Sequence, residues 1–331
     1  MKIVFYGVHS YDIEFFTRAN KDFGYECIFQ RAHLNIQTTA LAKGAEVVCL
    51  FVNDFAERPV LEEFKRLGVK LIALRCAGFN NVDLKAAAEL GIKVVRVPAY
   101  SPFAVAEHAC ALILALNRKI HRAYIRTRDG NFSLHGLIGF DMHGKTAGII
   151  GTGKVARTFI KILQGFGINI LAYDLYPDAK YAAENNVKYV TLDELFSKSD
   201  IISLHCPLTE ATTYIINEQS IAKMKDGVMI INTGRGKLID SEALIEGLKH
   251  HKIGAAGLDV YEEEGDYFYD DRSDNIIDDD KLARLLSFNN VLITSHQAFF
   301  THDAVTNIAN RTLNNVKEFV EGKELTCEVK I

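Results

Sequence analysis

The sequence predicts an α/β protein with two doubly wound parallel sheets, in which one domain is inserted into the other. The chain has 331 residues, more than one hydrophobic core usually serves. Short runs rich in valine, isoleucine and leucine alternate with longer amphipathic stretches along most of the chain. Continuous apolar strands that alternate with helices are typical of parallel sheets covered by helices on both faces.

The first hundred residues contain five predicted strands and three predicted helices. The strands are 2–7, 25–30, 46–52, 70–76 and 92–97, and the helices are 11–22, 59–67 and 83–90. A long helix is predicted at 102–121, because Ser101 is a good N-cap and proline suits the first turn. Its length and apolar content suit either a connector between domains or an ordinary buried helix.

A second α/β run begins at Gly144, and it includes a helix from about Lys154. Its predicted strands are 145–151, 168–174, 200–206, 227–233, 252–260 and 290–296. The last segment, 301–320, has a helical pattern and no strand of its own to cover, so we expect it to return to the first domain. The predicted domains are therefore 1–99 with 299–331, and an inserted domain of 100–298.

Composition and charge argue against several classes of function. The formal net charge is −4, and no basic cluster suggests binding to nucleic acid or to an anionic membrane. The amino-terminal segment lacks the features of a signal peptide. The most apolar segment, 104–116, contains Glu107 and His108 and is too short to span a bilayer. Six scattered cysteines without a Cys-x-x-Cys pair predict reduced thiols and a cytoplasmic protein.

A glycine-rich turn lies between an apolar strand and a helix in the second run. The segment Gly151-Thr-Gly-Lys-Val-Ala156 fits the pattern G-x-G-x-x-[GA], in which glycines permit a tight turn and close approach of a pyrophosphate. The helix amino terminus offers free N–H groups to the phosphates. This pattern alone is weak, and it could be an ordinary glycine turn followed by a surface aspartate.

The next predicted strand strengthens the dinucleotide hypothesis, because it ends at Asp174, 23 residues after Gly151. An acidic residue at this spacing accepts hydrogen bonds from the adenosine ribose hydroxyls. A carboxylate there would also repel the 2′-phosphate of NADP. We therefore predict NAD as the cofactor.

Three polar sites follow predicted strands of the second domain, where open α/β sheets bind ligands. They are 232–236, which contains Arg235, then Asp259 with Glu264 five residues later, and His296. Reduction of a 2-keto acid needs a clamp for the carboxylate, which the planar fork of arginine supplies. It also needs a proton donor, a role that suits histidine, and an acid that orients this histidine and favours its charged form.

Each of these residues also has an ordinary structural explanation. A single loop arginine is usually a solvated charge, Glu264 lies in an acidic run, and a histidine at a strand end is more often structural than catalytic. The three together, each at the expected position of one dinucleotide-binding domain, favour catalysis. No cluster of histidine and acidic residues has metal-ligand spacing, so we expect no metal.

These segments together resemble the D-isomer-specific 2-hydroxyacid dehydrogenases, and among them the fermentative D-lactate dehydrogenases. The resemblance extends over nearly the whole chain and rests on residues 75–83, 97–101, 106–108, 151–153, 203–208, 232–236, 259–262 and 295–299. It implies a Rossmann NAD-binding domain inserted into a flavodoxin-like substrate and catalytic domain. It also implies reversible, NADH-dependent reduction of a 2-keto acid, and homodimers or homotetramers formed through the NAD-binding domains.

The resemblance also implies roles for individual residues. Arg235, Glu264 and His296 form the catalytic set, with His296 as the acid and base, and N–H groups near Ala77 and Gly78 bind the substrate carboxylate with Arg235. The implied cofactor contacts are Gly151, Gly153, Lys154, Val155, Asp174, Cys206, Pro207, Thr212, Thr233, Gly234, Arg235 and Asp259. The other residues expected at the substrate are Phe51, Tyr100 and Phe299.

The sequence departs from the family pattern at a few positions. Ala156 replaces the third glycine, Ser295 stands where many relatives have proline, and Phe51 and Phe299 stand where some D-lactate enzymes have tyrosine. The expected substrate is pyruvate. A broader D-2-hydroxyacid dehydrogenase stays open, because discrimination by one methylene is worth only ~1–3 kcal/mol. A non-catalytic NAD-sensing scaffold is the alternative of a different class, and we expect it less because such scaffolds have partner-binding extensions.

Overall fold

The computed structural model describes residues 1–269 and 271–330, without the side chain of Asp266. The chain divides into two compact units. Unit 1 consists of Met1–Ser101 and Phe300–Ile331, and unit 2 is Pro102–Phe299, which is inserted into unit 1 along the sequence. These bounds lie within two residues of the predicted division. The functional assignment of each unit as a separate domain stays a prediction.

Two parallel sheets form the centres of the units. The strands are β1 (Lys2–Phe5), β2 (Glu26–Phe29), β3 (Val47–Leu50), β4 (Leu71–Leu74), β5 (Lys93–Val95), β6 (Thr146–Ile150), β7 (Asn169–Tyr173), β8 (Val187–Tyr189), β9 (Ile201–Leu204), β10 (Val228–Asn232), β11 (Ile253–Leu258) and β12 (Val291–Ile293). Unit 1 has the order β2-β1-β3-β4-β5, and unit 2 has the order β12-β11-β10-β9-β6-β7-β8. All described pairings between these strands are parallel, which confirms the predicted fold class.

Helices connect and cover these strands. They are α1 (Ser10–Ala19), α2 (Arg58–Leu67), α3 (Leu84–Glu89), α4 (Pro102–Arg118), α5 (Ile120–Arg128), α6 (Lys154–Gly165), α7 (Ala179–Glu184), α8 (Leu192–Lys198), α9 (Glu218–Lys223), α10 (Ser241–Lys249), α11 (Asp280–Ser287) and α12 (His302–Val320). In unit 2, apolar side chains of α4 and α6 cover one face of the sheet, and those of α8 to α11 cover the other. In unit 1, α12 packs against α1 and β4.

The long helix predicted at 102–121 ends earlier than expected. The backbone of Lys119 adopts the left-handed conformation, with φ of 50°, and α5 begins at the next residue. The side chain of Asn117 makes two hydrogen bonds of 2.8 Å with the backbone of Phe140, which ties a returning segment to the end of α4. This contact depends on residues far apart in sequence. The buried residues of α4 pack on the sheet of unit 2, so the helix is part of that unit's core.

A buried ion pair supports the sheet of unit 1 at its carboxyl edge. Arg75 follows β4, and its Nε lies 3.2 Å from Oδ1 of Asp12 in α1, with the two side chains 1% and 5% exposed. The same guanidinium donates to the carbonyls of Tyr6 and Gly7, which follow β1. A buried charge is tolerated when it is paired and hydrogen-bonded, so this pair joins β1, β4 and α1.

We expect Asp12→Asn to destabilise the protein strongly, because it leaves the Arg75 charge buried without its counter-ion. The expected loss is about 3–5 kcal/mol in the free energy of unfolding. Urea unfolding followed by circular dichroism measures it. Glu14→Gln is the matched control, because Glu14 forms an exposed pair with Arg18, and such pairs contribute at most ~1 kcal/mol. Equal unfolding midpoints for the two variants would contradict the role of the buried pair.

Candidate active site

The glycine-rich turn joins β6 to α6, and it passes close to the segment that follows β9. Gly151 has a φ of +91°, which L side chains rarely adopt. A Cβ atom at Gly151 would also lie 2.6 Å from the backbone nitrogen of Cys206. Glycine is therefore required here by both the backbone conformation and the close approach of two chain segments.

The next residues of the turn present an open surface. Gly153 is the N-cap of α6, and a Cβ atom there would meet nothing within 4 Å in the protein. Lys154 and Val155 form the first turn of the helix, and Ala156 is fully buried behind them. The free N–H groups of the first helical turn, next to a glycine whose backbone is accessible, are suited to bind a pyrophosphate group. The residues present therefore fit the dinucleotide that the sequence predicts.

Asp174 follows β7 and is bound to the same turn. Its Oδ2 accepts hydrogen bonds from the backbone N–H and the hydroxyl of Thr152, at 2.7 and 2.8 Å, and its Oδ1 accepts one from the N–H of Tyr176. Burial raises the pKa of the Asp174 carboxyl, but these hydrogen bonds and the nearby Arg157 outweigh burial and lower the pKa. Asp174 is therefore a carboxylate at neutral pH.

The other predicted cofactor residues lie in the loops after β9, β10 and β11. Cys206 lies against Gly151, and the hydroxyl of Thr212 donates to the carbonyl of Pro207 at 2.7 Å. The hydroxyl of Thr233 is buried and has no hydrogen-bond partner among the described residues. A buried hydroxyl without a partner, at the same edge of the sheet as the Gly151 turn, is suited to bind a polar group of a ligand.

His296 and Glu264 form a hydrogen-bonded pair in unit 2. Nδ1 of His296 lies 2.8 Å from Oε1 of Glu264, while Oε2 of Glu264 accepts a hydrogen bond from the backbone N–H of Tyr261 at 3.0 Å. An ionised carboxylate can only accept, so the imidazole donates from Nδ1. Its Nε2 is then the atom available to exchange a proton with a ligand.

Glu262 and Glu263, the neighbours of Glu264 in the acidic run, do not share this contact. The carboxylate of Glu262 accepts a hydrogen bond of 2.9 Å from the hydroxyl of Tyr214, and Glu263 is exposed. Only Glu264 is oriented toward the imidazole, by the short 3₁₀ turn that it begins.

Asp259 holds the turn that contains His296. Its side chain is fully buried, and its carboxylate accepts hydrogen bonds from the hydroxyl of Thr294 and from the N–H groups of Gln297 and Ala298. The backbone N–H of His296 donates to the Asp259 carbonyl at 2.7 Å. His296 has a φ of +52°, an unfavourable conformation for a residue other than glycine, and these hydrogen bonds maintain it.

Arg235 follows β10 and is not paired with an acid in the part of the chain that the structure describes. Its guanidinium donates to the carbonyl of Gly234 at 2.8 Å. The next residue, Gly236, lies against the Tyr261–Glu262 peptide so closely that a Cβ atom would overlap the Tyr261 carbonyl. This contact keeps the loop of Arg235 next to the loop of Glu264 and leaves the arginine fork available for an anion.

The predicted substrate residues of unit 1 follow its strands. Phe51 comes after β3, and its ring lies 5.0 Å from the guanidinium of Arg75. Ala77 and Gly78 come after β4, and neither backbone N–H has a hydrogen-bond partner among the described residues. Free N–H groups after a parallel strand are suited to an anionic ligand. Tyr100 lies beyond β5, and its carbonyl accepts a hydrogen bond from Asn307.

One further contact of the site is not predicted by any sequence pattern. Nε2 of His108 in α4 lies 3.0 Å from the hydroxyl of Thr294 and 3.4 Å from Oδ1 of Asp259. The two residues are 186 positions apart, so no local sequence pattern predicts this pair. It adds a helix to the support of the His296 turn.

Comparison with known proteins identifies the family. A family model described as D-isomer specific 2-hydroxyacid dehydrogenase, NAD binding domain, matches residues 110–298. The chain belongs to the D-isomer-specific 2-hydroxyacid dehydrogenase family. Its cofactor is NAD, and its substrates are small hydroxy acids.

Individual members of the family are similar to this chain over its whole length. A D-lactate dehydrogenase of Escherichia coli is 56% identical over 327 residues, which are 99% of this chain and 98% of the relative. A 2-hydroxyacid dehydrogenase homolog of Haemophilus influenzae is 55% identical, with 99% and 98% covered. The apo-structure of D-lactate dehydrogenase from Escherichia coli superposes with a TM-score of 0.91 and 52% identity over 100% of both chains.

The described part of the chain contains neither a metal-binding cluster nor a membrane-spanning helix. In residues 1–269 and 271–330, no group of three or more histidine, cysteine and acidic side chains is arranged to hold a metal ion. Within the same residues, no helix has the length and apolar character needed to cross a bilayer.

The two glycines of the turn should respond differently to alanine. Gly151→Ala should lower both thermal stability and NADH affinity, because the new Cβ meets the Cys206 backbone. Gly153→Ala should lower the melting temperature much less than Gly151→Ala, by no more than the loss of a glycine N-cap, and should still weaken NADH binding, because its Cβ would occupy the open surface that the pyrophosphate needs. Differential scanning fluorimetry and NADH fluorescence titration measure the two effects. Unweakened NADH binding by Gly153→Ala would contradict the placement of the pyrophosphate.

Proposed function

We propose that this chain is an NAD-dependent D-lactate dehydrogenase, which reversibly reduces pyruvate to D-lactate. The observation that supports it most is the Glu264–His296 pair, with Nδ1 and Oε1 2.8 Å apart, in a unit with the family's NAD-binding domain. The similarity to D-lactate dehydrogenases over the whole chain supports pyruvate in particular.

In the proposed reaction, His296 moves the proton. When bound, NADH supplies a hydride to C2 of pyruvate. The protonated imidazole donates the Nε2 proton to the carbonyl oxygen, which becomes the hydroxyl of D-lactate. Glu264 stabilises the charged imidazole and fixes its ring through Nδ1. Lactate oxidation reverses these steps, with neutral His296 as the base.

Arg235 holds the substrate carboxylate through its planar fork. The family resemblance implies further donors from the N–H groups of Ala77 and Gly78. The same resemblance implies that Phe51, Tyr100 and Phe299 are the other residues near the substrate. Aromatic side chains at Phe51 and Phe299 favour the small methyl group of pyruvate over longer side chains. No observation favours a broader specificity or a non-catalytic scaffold over this function.

A substrate panel tests the proposed function. NADH oxidation is measured with pyruvate, 2-ketobutyrate, 2-ketoisocaproate and phenylpyruvate, and the product of pyruvate is analysed by chiral chromatography. We expect the highest kcat/KM with pyruvate and a product that is D-lactate. L-lactate as the product, or NADH binding without turnover of any of the four acids, would contradict the proposal.

We expect Arg235→Lys to lower kcat/KM for pyruvate by at least about tenfold, because lysine keeps the charge and loses the bidentate fork. NADH affinity should change little. Arg284→Lys is the matched control, because Arg284 of α11 lies over the ring of Phe288, which follows that helix, and has no part in the site. Steady-state kinetics with saturating NADH measure the effect. Unchanged pyruvate kinetics would remove Arg235 from the site.

We also propose a cytoplasmic homo-oligomer, a dimer or tetramer that assembles through unit 2. The six scattered cysteines without a Cys-x-x-Cys pair agree with a reducing compartment. Unit 2 exposes a cluster of large apolar side chains, which we call the α5 patch. Its members are Ile120, Tyr124, Ile125, Phe132, Leu134 and Ile138, each at least 58% exposed. Apolar clusters of this kind usually mark interfaces with other proteins.

We expect a charged residue in the α5 patch to dissociate the oligomer. Ile125→Asp should shift the protein toward monomer in sedimentation velocity, because a buried unpaired carboxylate is costly at an interface. Ile276→Asp is the matched control, because Ile276 is 86% exposed in unit 2 outside the patch. An unchanged sedimentation coefficient for Ile125→Asp, or equal dissociation of the control, would contradict the proposed interface.

A further inference from the structure

Arg157 lies beside the part of the glycine-rich turn that binds Asp174. Its Nε donates to the carbonyl of Thr152 at 3.0 Å, and its guanidinium forms an ion pair of 2.9 Å with Asp178. The guanidinium carbon also lies 4.2 Å from the centre of the Tyr181 ring. These contacts fix the side chain, which nevertheless remains 39% exposed.

Thr152 connects Arg157 with Asp174. Arg157 binds the carbonyl of Thr152, while Asp174 binds its N–H and its hydroxyl. The hydroxyl of Tyr189 also donates a hydrogen bond to the hydroxyl oxygen of Thr152, which further fixes this side chain. The positive charge of Arg157 contributes to the lowered pKa of Asp174, although burial opposes it. The guanidinium of Arg157 and the carboxylate of Asp174 are therefore both bound to Thr152, next to the position expected for the adenosine ribose.

We propose that Arg157 is a second cofactor-specificity residue, which binds a ribose 2′-phosphate once the negative charge of Asp174 is removed. A planar guanidinium binds phosphate through two parallel hydrogen bonds, and arginine near the ribose accommodates the 2′-phosphate of NADP in dinucleotide-binding folds. Asp174 prevents this in the unmodified protein by repelling the phosphate. The inference rests on the proposed contact between Asp174 and the ribose.

Asp178 competes with a phosphate for Arg157. Its Oδ2 pairs with the guanidinium, while its Oδ1 accepts the N–H of Tyr181 as the N-cap of α7. Asparagine is as good an N-cap as aspartate, so Asp178→Asn removes the competing charge and keeps the helix start. This variant should release the fork of Arg157 without unfolding the loop.

Isothermal titration calorimetry on the full-length protein with 5′-AMP and 2′,5′-ADP (adenosine 2′,5′-bisphosphate) tests the proposal, because the two probes differ only in the 2′-phosphate. We expect Asp174→Asn to improve the affinity for 2′,5′-ADP relative to 5′-AMP by about tenfold, the value of one charge-assisted contact. Asp174→Asn/Arg157→Gln should lose that gain, Asp174→Asn/Arg157→Lys should keep part of it, and Asp174→Asn/Asp178→Asn should increase it. Asp174→Asn/Arg284→Gln is the matched control and should keep the full gain.

Two results would overturn the proposal. One is an equal gain for 2′,5′-ADP with and without Arg157. The other is an equal weakening of both probes by Arg157→Gln, which would mean that Arg157 only supports the turn. NADH-dependent turnover of pyruvate by the unmodified protein is measured alongside, and it tests the proposed function independently of the 2′-phosphate.

Discussion

The parallel pairing of β10, β11 and β12 determines which side chains of unit 2 meet. All carboxyl ends of these strands lie at one edge, and the hydrogen bonding continues past the strands. The N–H of Asp259 donates to the carbonyl of Asn232, and the N–H of His296 donates to the carbonyl of Asp259. The loops after β10, β11 and β12 are thereby held side by side, and their polar residues together form one site.

The buried carboxylate of Asp259 fixes the backbone around His296 at this edge of the sheet. It binds two backbone N–H groups after His296, and it receives the Thr294 hydroxyl that also contacts His108. A left-handed histidine is strained by about 1–3 kcal/mol, which the surrounding hydrogen bonds must offset. The strained backbone directs Nδ1 toward Glu264. The proton-transfer role proposed for Nε2 of His296 thus depends on Asp259, a residue that is fully buried.

Much of the fold follows from local pattern, and part of the site does not. Apolar strands and the Gly151 turn are local features, and the sequence pattern predicts them with one exception. The short edge strand β8 (Val187–Tyr189) is not predicted. The positions of Glu264 and His296 after predicted strands predict that both lie at one edge of the sheet, but 32 residues separate them and no periodicity predicts the contact itself. The end of α4 before Lys119, the His108–Thr294 contact and the position of Arg157 over Thr152 depend on tertiary contacts. Sequence pattern alone does not contain that information.

The pH dependence of pyruvate reduction in Glu264→Gln tests the central claim most directly, namely that Glu264 and His296 act as one acid–base pair. Reduction needs protonated His296, and the Glu264 carboxylate stabilises that form. The alkaline limb of kcat/KM for pyruvate should therefore move to lower pH in Glu264→Gln. Glu262→Gln is the control, because Glu262 binds Tyr214 instead, and its limb should not move. An unmoved limb in Glu264→Gln would contradict the claim.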